Sequence, residues 1–89
     1  MNNIDLSIII PVYNVENYLR RGLDSILLQP SSITYEILLI DDGSSDKSGA
    51  ICDEYQSNFQ NVFVSHIENN GVAEARNLGI SLSKGNYLY

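Results

Sequence analysis

The stretch Tyr35-Glu36-Ile37-Leu38-Leu39-Ile40-Asp41-Asp42-Gly43-Ser44-Ser45-Asp46 sets two aspartates directly behind four aliphatic residues, with turn-forming residues after them. Four aliphatics are too few for a typical helix, so Tyr35 to Ile40 reads as a strand buried on both faces, as in a parallel sheet. The carboxyl end of such a strand is where open parallel sheets bind ligands. Asp41 and Asp42 are therefore candidates for a binding site. The same residues also suit a plain turn with helix capping, because Asp, Gly and Ser are what loops favour.

Upstream, Leu6 to Val12 is rich in β-branched residues and reads as the first strand, with Pro11 tolerable near its end if that edge is free. Val15, Tyr18, Leu19, Leu23, Ile26 and Leu27 fall on one helical face, with Asn14 placed as its cap and an end near Gln29-Pro30. Downstream, a weaker helical pattern links Ile51, Tyr55 and Phe59 behind caps at Ser44 or Ser45. Val62 to Ile67 reads as a third strand. After Asn69-Asn70-Gly71, the residues Val72, Ala75, Leu78, Gly79 and Leu82 mark a third helical face closed by Lys84-Gly85, and Tyr87-Leu88-Tyr89 begin a fourth strand. Strands alternating with helices imply right-handed crossovers and an α/β chain: a Rossmann-like three-layer α/β/α arrangement on a mainly parallel sheet.

With 89 residues the chain is one small domain, burying roughly 60–65% of its unfolded surface. A hydrophobic fraction of 44% argues against disorder. The net charge of −6 repels phosphate backbones and anionic headgroups, so nucleic acid is excluded as a partner. Cys52 has no second cysteine to pair with and reads as a half-buried structural thiol. No segment approaches the ~20 apolar residues of a membrane helix and no signal peptide is legible, so a cytoplasmic protein is expected. Ending in an apolar strand without a polar tail, the chain reads as cut short, with bare apolar surface through which it self-associates or swaps elements.

In an open parallel sheet the ends of the first three strands share one crevice, which brings together Tyr13 and Asn14, Asp41 and Asp42, and the segment from Asn69 to Arg76. There Asp41 is placed to accept the ring N–H of a pyrimidine, and Tyr13 to stack on the base. Arg76 either pairs with Asp41, as an ion pair holding the loop, or reaches a base carbonyl or phosphate. His66 reads as a packing residue without a catalytic role. Lys47 and Lys84 read as solvated side chains, with Lys84 complementing a helix dipole. The glycines build neither a Walker loop nor a Gly-x-Gly-x-x-Gly turn, and no zinc or activated-serine motif is present.

Three segments, Ser7 to Asn14 (SIIIPVYN), Glu36 to Asp46 (EILLIDDGSSD) and Asn70 to Gly79 (NGVAEARNLG), resemble the family 2 inverting glycosyltransferases in sequence, order and spacing, over nearly the whole chain. The resemblance implies a GT-A fold of which residues 1–89 are the nucleotide-binding half. It implies a nucleotide-sugar donor, usually a uridine diphosphate sugar, and in the full-length enzyme a saccharide or lipid-linked acceptor and surface polysaccharide synthesis at the inner membrane face. By the same resemblance Pro11, Val12, Tyr13 and Glu16 line the nucleoside pocket, Asp41 contacts the base, Arg76 helps to hold it and Asp42 supports. A divalent metal, Mn or Mg, is expected on an Asp-x-Asp element after the fourth strand, where it neutralises the leaving diphosphate. The chain departs from the family by stopping at Tyr89, before that element and before the acceptor half with its catalytic base, so no metal binding and no turnover are expected of residues 1–89 alone. Two other classes compete. A receiver-type signalling domain has its acidic pair at the end of the first strand, which here ends in Tyr13-Asn14. A non-catalytic nucleotide-binding or assembly module fits the same residues.

Overall fold

The structure, a computed structural model, describes residues 4–89. In chain order the elements are β1 (Leu6–Val12), α1 (Glu16–Leu27), β2 (Tyr35–Asp42), α2 (Ser48–Asn58), β3 (Val62–Ile67), α3 (Val72–Leu82) and β4 (Tyr87–Leu88). The strands form one sheet in the order β3-β2-β1-β4, every pairing parallel. The expected α/β class and strand order of appearance are thus present.

β2 lies between β1 and β3 and is buried from Glu36 onward, as an uninterrupted apolar run requires. Ile37 and Leu39 face α1 and α2, where they join Val12, Leu19, Leu23, Ile51, Cys52, Tyr55 and Val62 in the core. Ile37, Leu39 and Ile40 keep at most 1% of their surface exposed, and each such side chain contributes about 1.5–3 kcal/mol. The other face is covered by α3, which approaches closely because its Gly79 carries no side chain: a Cβ there would lie 2.3 Å from Ile9 Cγ2. Beside α3 the sheet face stays open around Leu38, Phe63 and Leu82, with Phe63 exposed.

Pro11 is accommodated for the reason anticipated. The N–H of Ile9 points toward β4 and donates to Tyr89 O at 3.0 Å. Pro11, two residues on, points the same way past the end of β4, so the missing N–H breaks no ladder bond.

Several local expectations are corrected. β2 runs two residues beyond Ile40, because Asp41 and Asp42 stay in register with His66 and Ile67 of β3; the turn begins at Gly43, at φ 69°. α1 ends at Leu27, ahead of the residues near Pro30 that cannot continue a helix. Asn14 does not cap α1, which begins after Val15 without a side-chain cap of its own. Neither Ser44 nor Ser45 caps α2, whose N-cap position is Lys47. Asp46 serves both helices: Oδ1 accepts the Ser48 N–H at 2.8 Å, at the start of α2, and Oδ2 accepts the Glu16 N–H at 3.2 Å, at the start of α1. One carboxylate between two positive helix ends is favoured over two separate neutral caps. Cys52 is fully buried rather than half-buried, and burial together with Asp41 and Asp53 pushes its thiol up to about 12. The helical face expected in α3 is only partly inward, with Ala75 and Gly79 buried but Val72 and Leu82 exposed. Lys84 lies beyond α3, where its backbone N–H bonds Glu36.

Candidate functional site: a cleft at the carboxyl end of the sheet

Because β2 stays extended through Asp42, successive side chains leave it on opposite faces. Asp41 points to the α2 side and Asp42 to the α3 side. That alternation divides two adjacent carboxylates into two environments.

Asp42 faces the start of α3. Its Oδ1 accepts the Asn70 N–H at 2.9 Å and its Oδ2 the Gly71 N–H at 3.0 Å. The carboxylate, 4% exposed as a residue, thereby fixes the loop that carries Asn69, Asn70 and Gly71 and sits at the positive end of α3. Two glycines allow this loop to close. Gly43 and Gly71 both have positive φ, and a Cβ on Gly43 would meet the Asn69 backbone nitrogen at 2.8 Å. Between β1 and this loop lies a cleft of about 210 Å³, lined by Pro11, Val12, Tyr13, Asp42, Asn69, Gly71 and Val72. Its walls are mostly apolar, with one carboxylate at the base and a half-exposed Tyr13 ring at the side.

Asp41 lies on the other side. Its Oδ1 accepts the Ser44 N–H at 3.1 Å, and its Oδ2 is 2.8 Å from His66 Nδ1. Gly49 of α2 is required there, since a Cβ would sit 2.8 Å from Asp41 Oδ2. His66 is not a packing residue: its ring is half exposed and its Nε2 lies 2.7 Å from Asp53 Oδ1. Hydrogen bonds with Asp41 and then Asp53 outweigh burial and raise the His66 pKa above its ordinary value.

The turn after β2 is tied to β1. Asn14, at φ 51°, accepts the Ser45 N–H at 2.8 Å on its side-chain oxygen, and its own N–H donates to Ser44 Oγ at 3.1 Å. Val15 N–H donates to Ser48 Oγ at 2.9 Å.

Of the residues expected at the site, the structure brings Pro11, Val12, Tyr13 and Asp42 together around the cleft, with the 69–72 segment opposite. It does not bring Glu16, Asp41 or Arg76 to the lining. Glu16 stands in the first turn of α1 with its N–H on Asp46. Of the two alternatives for Arg76, the ion pair with Asp41 is not formed: His66 occupies Asp41 and Arg76 is exposed on α3. The carboxylate at the cleft is Asp42, which the sequence reading had in a supporting role. Sequence reasoning missed Asp46 and His66. Strand alternation continued to the end of the apolar run would have separated Asp41 from Asp42, whereas nothing local in the sequence marks the His66–Asp53 contact. Among the described residues no group of three or more His, Cys, Asp or Glu is arranged to hold a metal ion, and no helix is long and apolar enough to cross a membrane.

These features coincide with known proteins. "Glycosyltransferase GlyA" of Streptococcus pneumoniae serotype 4 is 45% identical over 83 residues, 93% of this chain and 12% of that protein. The structure of Staphylococcus aureus TarS residues 1–349 in complex with UDP superposes with a TM-score of 0.83 at 30% identity, covering 96% of this chain and 26% of that one. The mannosyltransferase PcManGT from Pyrobaculum calidifontis, solved with GDP-Man and Mn2+, shares the fold with a TM-score of 0.72 at 20% identity, over 93% of this chain and 25% of that one. The chain thus spans about an eighth to a quarter of the length of these proteins. Since the family model described as "Glycosyl transferase family 2" matches residues 7–89, nearly the whole sheet and all three helices, the chain belongs to glycosyl transferase family 2.

Proposed function

We propose that residues 1–89 form the nucleotide-binding half of a GT-A glycosyltransferase domain, and that the whole protein transfers a sugar from a uridine diphosphate donor to an acceptor hydroxyl with inversion. The observation that carries this reading is the cleft at the carboxyl ends of β1 and β2, with Tyr13 at its side and Asp42 at its base against the start of α3. The likeness to TarS, solved with UDP, supports uridine as the base.

In this reading the base stacks on Tyr13 between the apolar walls of Pro11, Val12 and Val72. Asp42 retains acceptor capacity beyond its two backbone bonds, since a carboxylate offers about four lone-pair sites, and it takes the ring N–H of uracil. A cytosine or purine ring lacking an N–H at that place leaves the carboxylate facing a lone pair, so the discrimination comes from a buried polar group left unpaired. The diphosphate then runs toward Asn69 and Arg76, whose exposed guanidinium is free to swing to an anion near the positive end of α3.

In the whole protein a divalent metal, Mn or Mg, would be held by an Asp-x-Asp element outside these residues and would neutralise the leaving diphosphate; the described residues do not build its site. A saccharide or lipid-linked acceptor, a role in surface polysaccharide synthesis and a cytoplasmic position at the inner membrane face belong to the same reading. So does self-association of residues 1–89 through the open face around Phe63 and Leu82. Sedimentation of these residues as a monomer at high micromolar concentration would contradict that last element.

The test is calorimetric titration of the protein with UDP and with ADP. Selective UDP binding, with amide shifts at Tyr13 and Asp42, is expected; equal or absent binding of the two would overturn the nucleotide reading. UDP binding by a whole protein that transfers no sugar would leave a nucleotide-binding module in place of an enzyme.

A further inference from the structure

The His66 ring is engaged at both nitrogens, 2.8 Å from Asp41 Oδ2 and 2.7 Å from Asp53 Oδ1. A neutral imidazole has one N–H, so it serves one carboxylate and turns a lone pair toward the other, whereas the imidazolium donates to both. The groups facing the ring are Asp41 from β2 and Asp53 from α2, and both carboxylates also act on the buried Cys52 thiol of α2. Asp42, next along β2, is turned away to Asn70 and Gly71.

Asp41 connects this pair of contacts to the cleft. Its second oxygen holds the Ser44 N–H, Ser44 Oγ holds the Asn14 N–H, and Asn14 Oδ1 holds the Ser45 N–H. Asn14 follows Tyr13, which forms a wall of the cleft. A continuous chain of hydrogen bonds therefore runs from Asp53 through His66, Asp41 and Ser44 to the residue beside Tyr13.

We propose that His66 is a positioning residue for the nucleotide cleft: by clamping Asp41 against Asp53 it fixes the Ser44 turn, Asn14 and Tyr13, so that nucleotide affinity follows the charge on His66. The inference rests on the nucleotide reading of the cleft. The clamp is complete when His66 is charged. It is fully present below its ordinary pKa of 6.5 and is lost as pH rises through the higher value it has in the fold. UDP affinity is expected to fall about fivefold across that rise, at the low end of coupling between separate sites.

The experiment is UDP titration of the protein from about pH 5.5 to about pH 9, comparing wild type, His66→Gln and Asp53→Asn. Dividing wild-type affinity by that of His66→Gln cancels the titration of the diphosphate itself. The ratio is expected to fall about fivefold with rising pH. Asp53→Asn, altered at an exposed side chain, should keep the low-pH affinity and flatten the fall, because the Asn amide accepts from the charged ring and donates to the lone pair of the neutral one. Amide shifts of Ser44, Asn14 and Tyr13 should titrate together with the His66 ring. A flat wild-type ratio, or an unchanged fall in Asp53→Asn, overturns the proposal while UDP binding itself stands. Absence of UDP binding at every pH with amide shifts that still follow His66 overturns the nucleotide reading and leaves the clamp.

Discussion

The two ends of β2 carry buried carboxylates that do different work. At its start, Glu36 is 2% exposed; its Oε2 accepts the Ser7 hydroxyl at 2.6 Å and the Lys84 N–H at 2.7 Å, while Ser7 Oγ accepts the Gly85 N–H at 2.8 Å. This latch joins β1, β2 and the loop between α3 and β4. At its end, Asp42 also binds two N–H groups of a loop, yet it stands at the base of an open cleft. Both carboxylates are used to fix a loop against the sheet. The difference is the space each borders: Asp42 stands at the strand-end cleft beside Tyr13 and the start of α3, whereas Glu36 borders the apolar recess of Leu38, Phe63 and Leu82 at the opposite end of the strand. The surroundings of a buried carboxylate, rather than its burial, separate an anchor from a candidate site.

The largest effect that tests this contrast is expected from Glu36→Ala. It strands the Ser7 hydroxyl and the Lys84 N–H in the interior, at a cost of about 3 kcal/mol, which corresponds to a fall in Tm of about 15 °C. UDP affinity of the folded population should be unchanged, as calorimetry below the transition will show. Asp42→Asn should do the reverse, weakening UDP about thirtyfold through loss of a charge-assisted acceptor, with a Tm shift well short of the Glu36→Ala change. Equal Tm losses and unaltered UDP binding in the two variants would break the comparison. Tyr13→Ala, which removes the stacking surface but none of the anchoring bonds, should weaken UDP about tenfold and leave Tm within a few degrees. Smallest is a pH effect on stability. The His66 pKa is raised by Asp41 and Asp53, so its contribution is present below pH 6.5 and disappears as pH climbs through the raised value. The Tm difference between wild type and His66→Gln should accordingly shrink from acid to alkaline buffer.

Much of this was legible locally. The four aliphatics from Ile37 to Ile40 specified a strand buried on both faces, because an unbroken apolar run cannot offer a polar face to water. The apolar spacing of α1 located its buried residues Leu19 and Leu23. Asn69-Asn70-Gly71 marked the loop at the cleft, since Gly71 takes the positive φ that other residues avoid. Capping was read wrongly for a physical reason: Asn14 and Asp46 satisfy N–H groups thirty or so residues away, and a reading that looks only to the next helix misses donors supplied across the sheet.

The chemistry of the site divides in the same way. The order and content of the Pro11-Val12-Tyr13, Asp41-Asp42 and Asn70 to Gly79 segments determined the family and the sheet edge that carries the candidate site, because a parallel sheet necessarily gathers its strand ends on one side. Only the tertiary structure decided which aspartate faces the cleft. Whether β2 ends at Ile40 or continues to Asp42 depends on its pairing with His66 and Ile67 of β3, and each added strand residue reverses the side to which the next side chain points. The same pairing brought His66 against Asp41, joining groups that lie 25 residues apart in the chain.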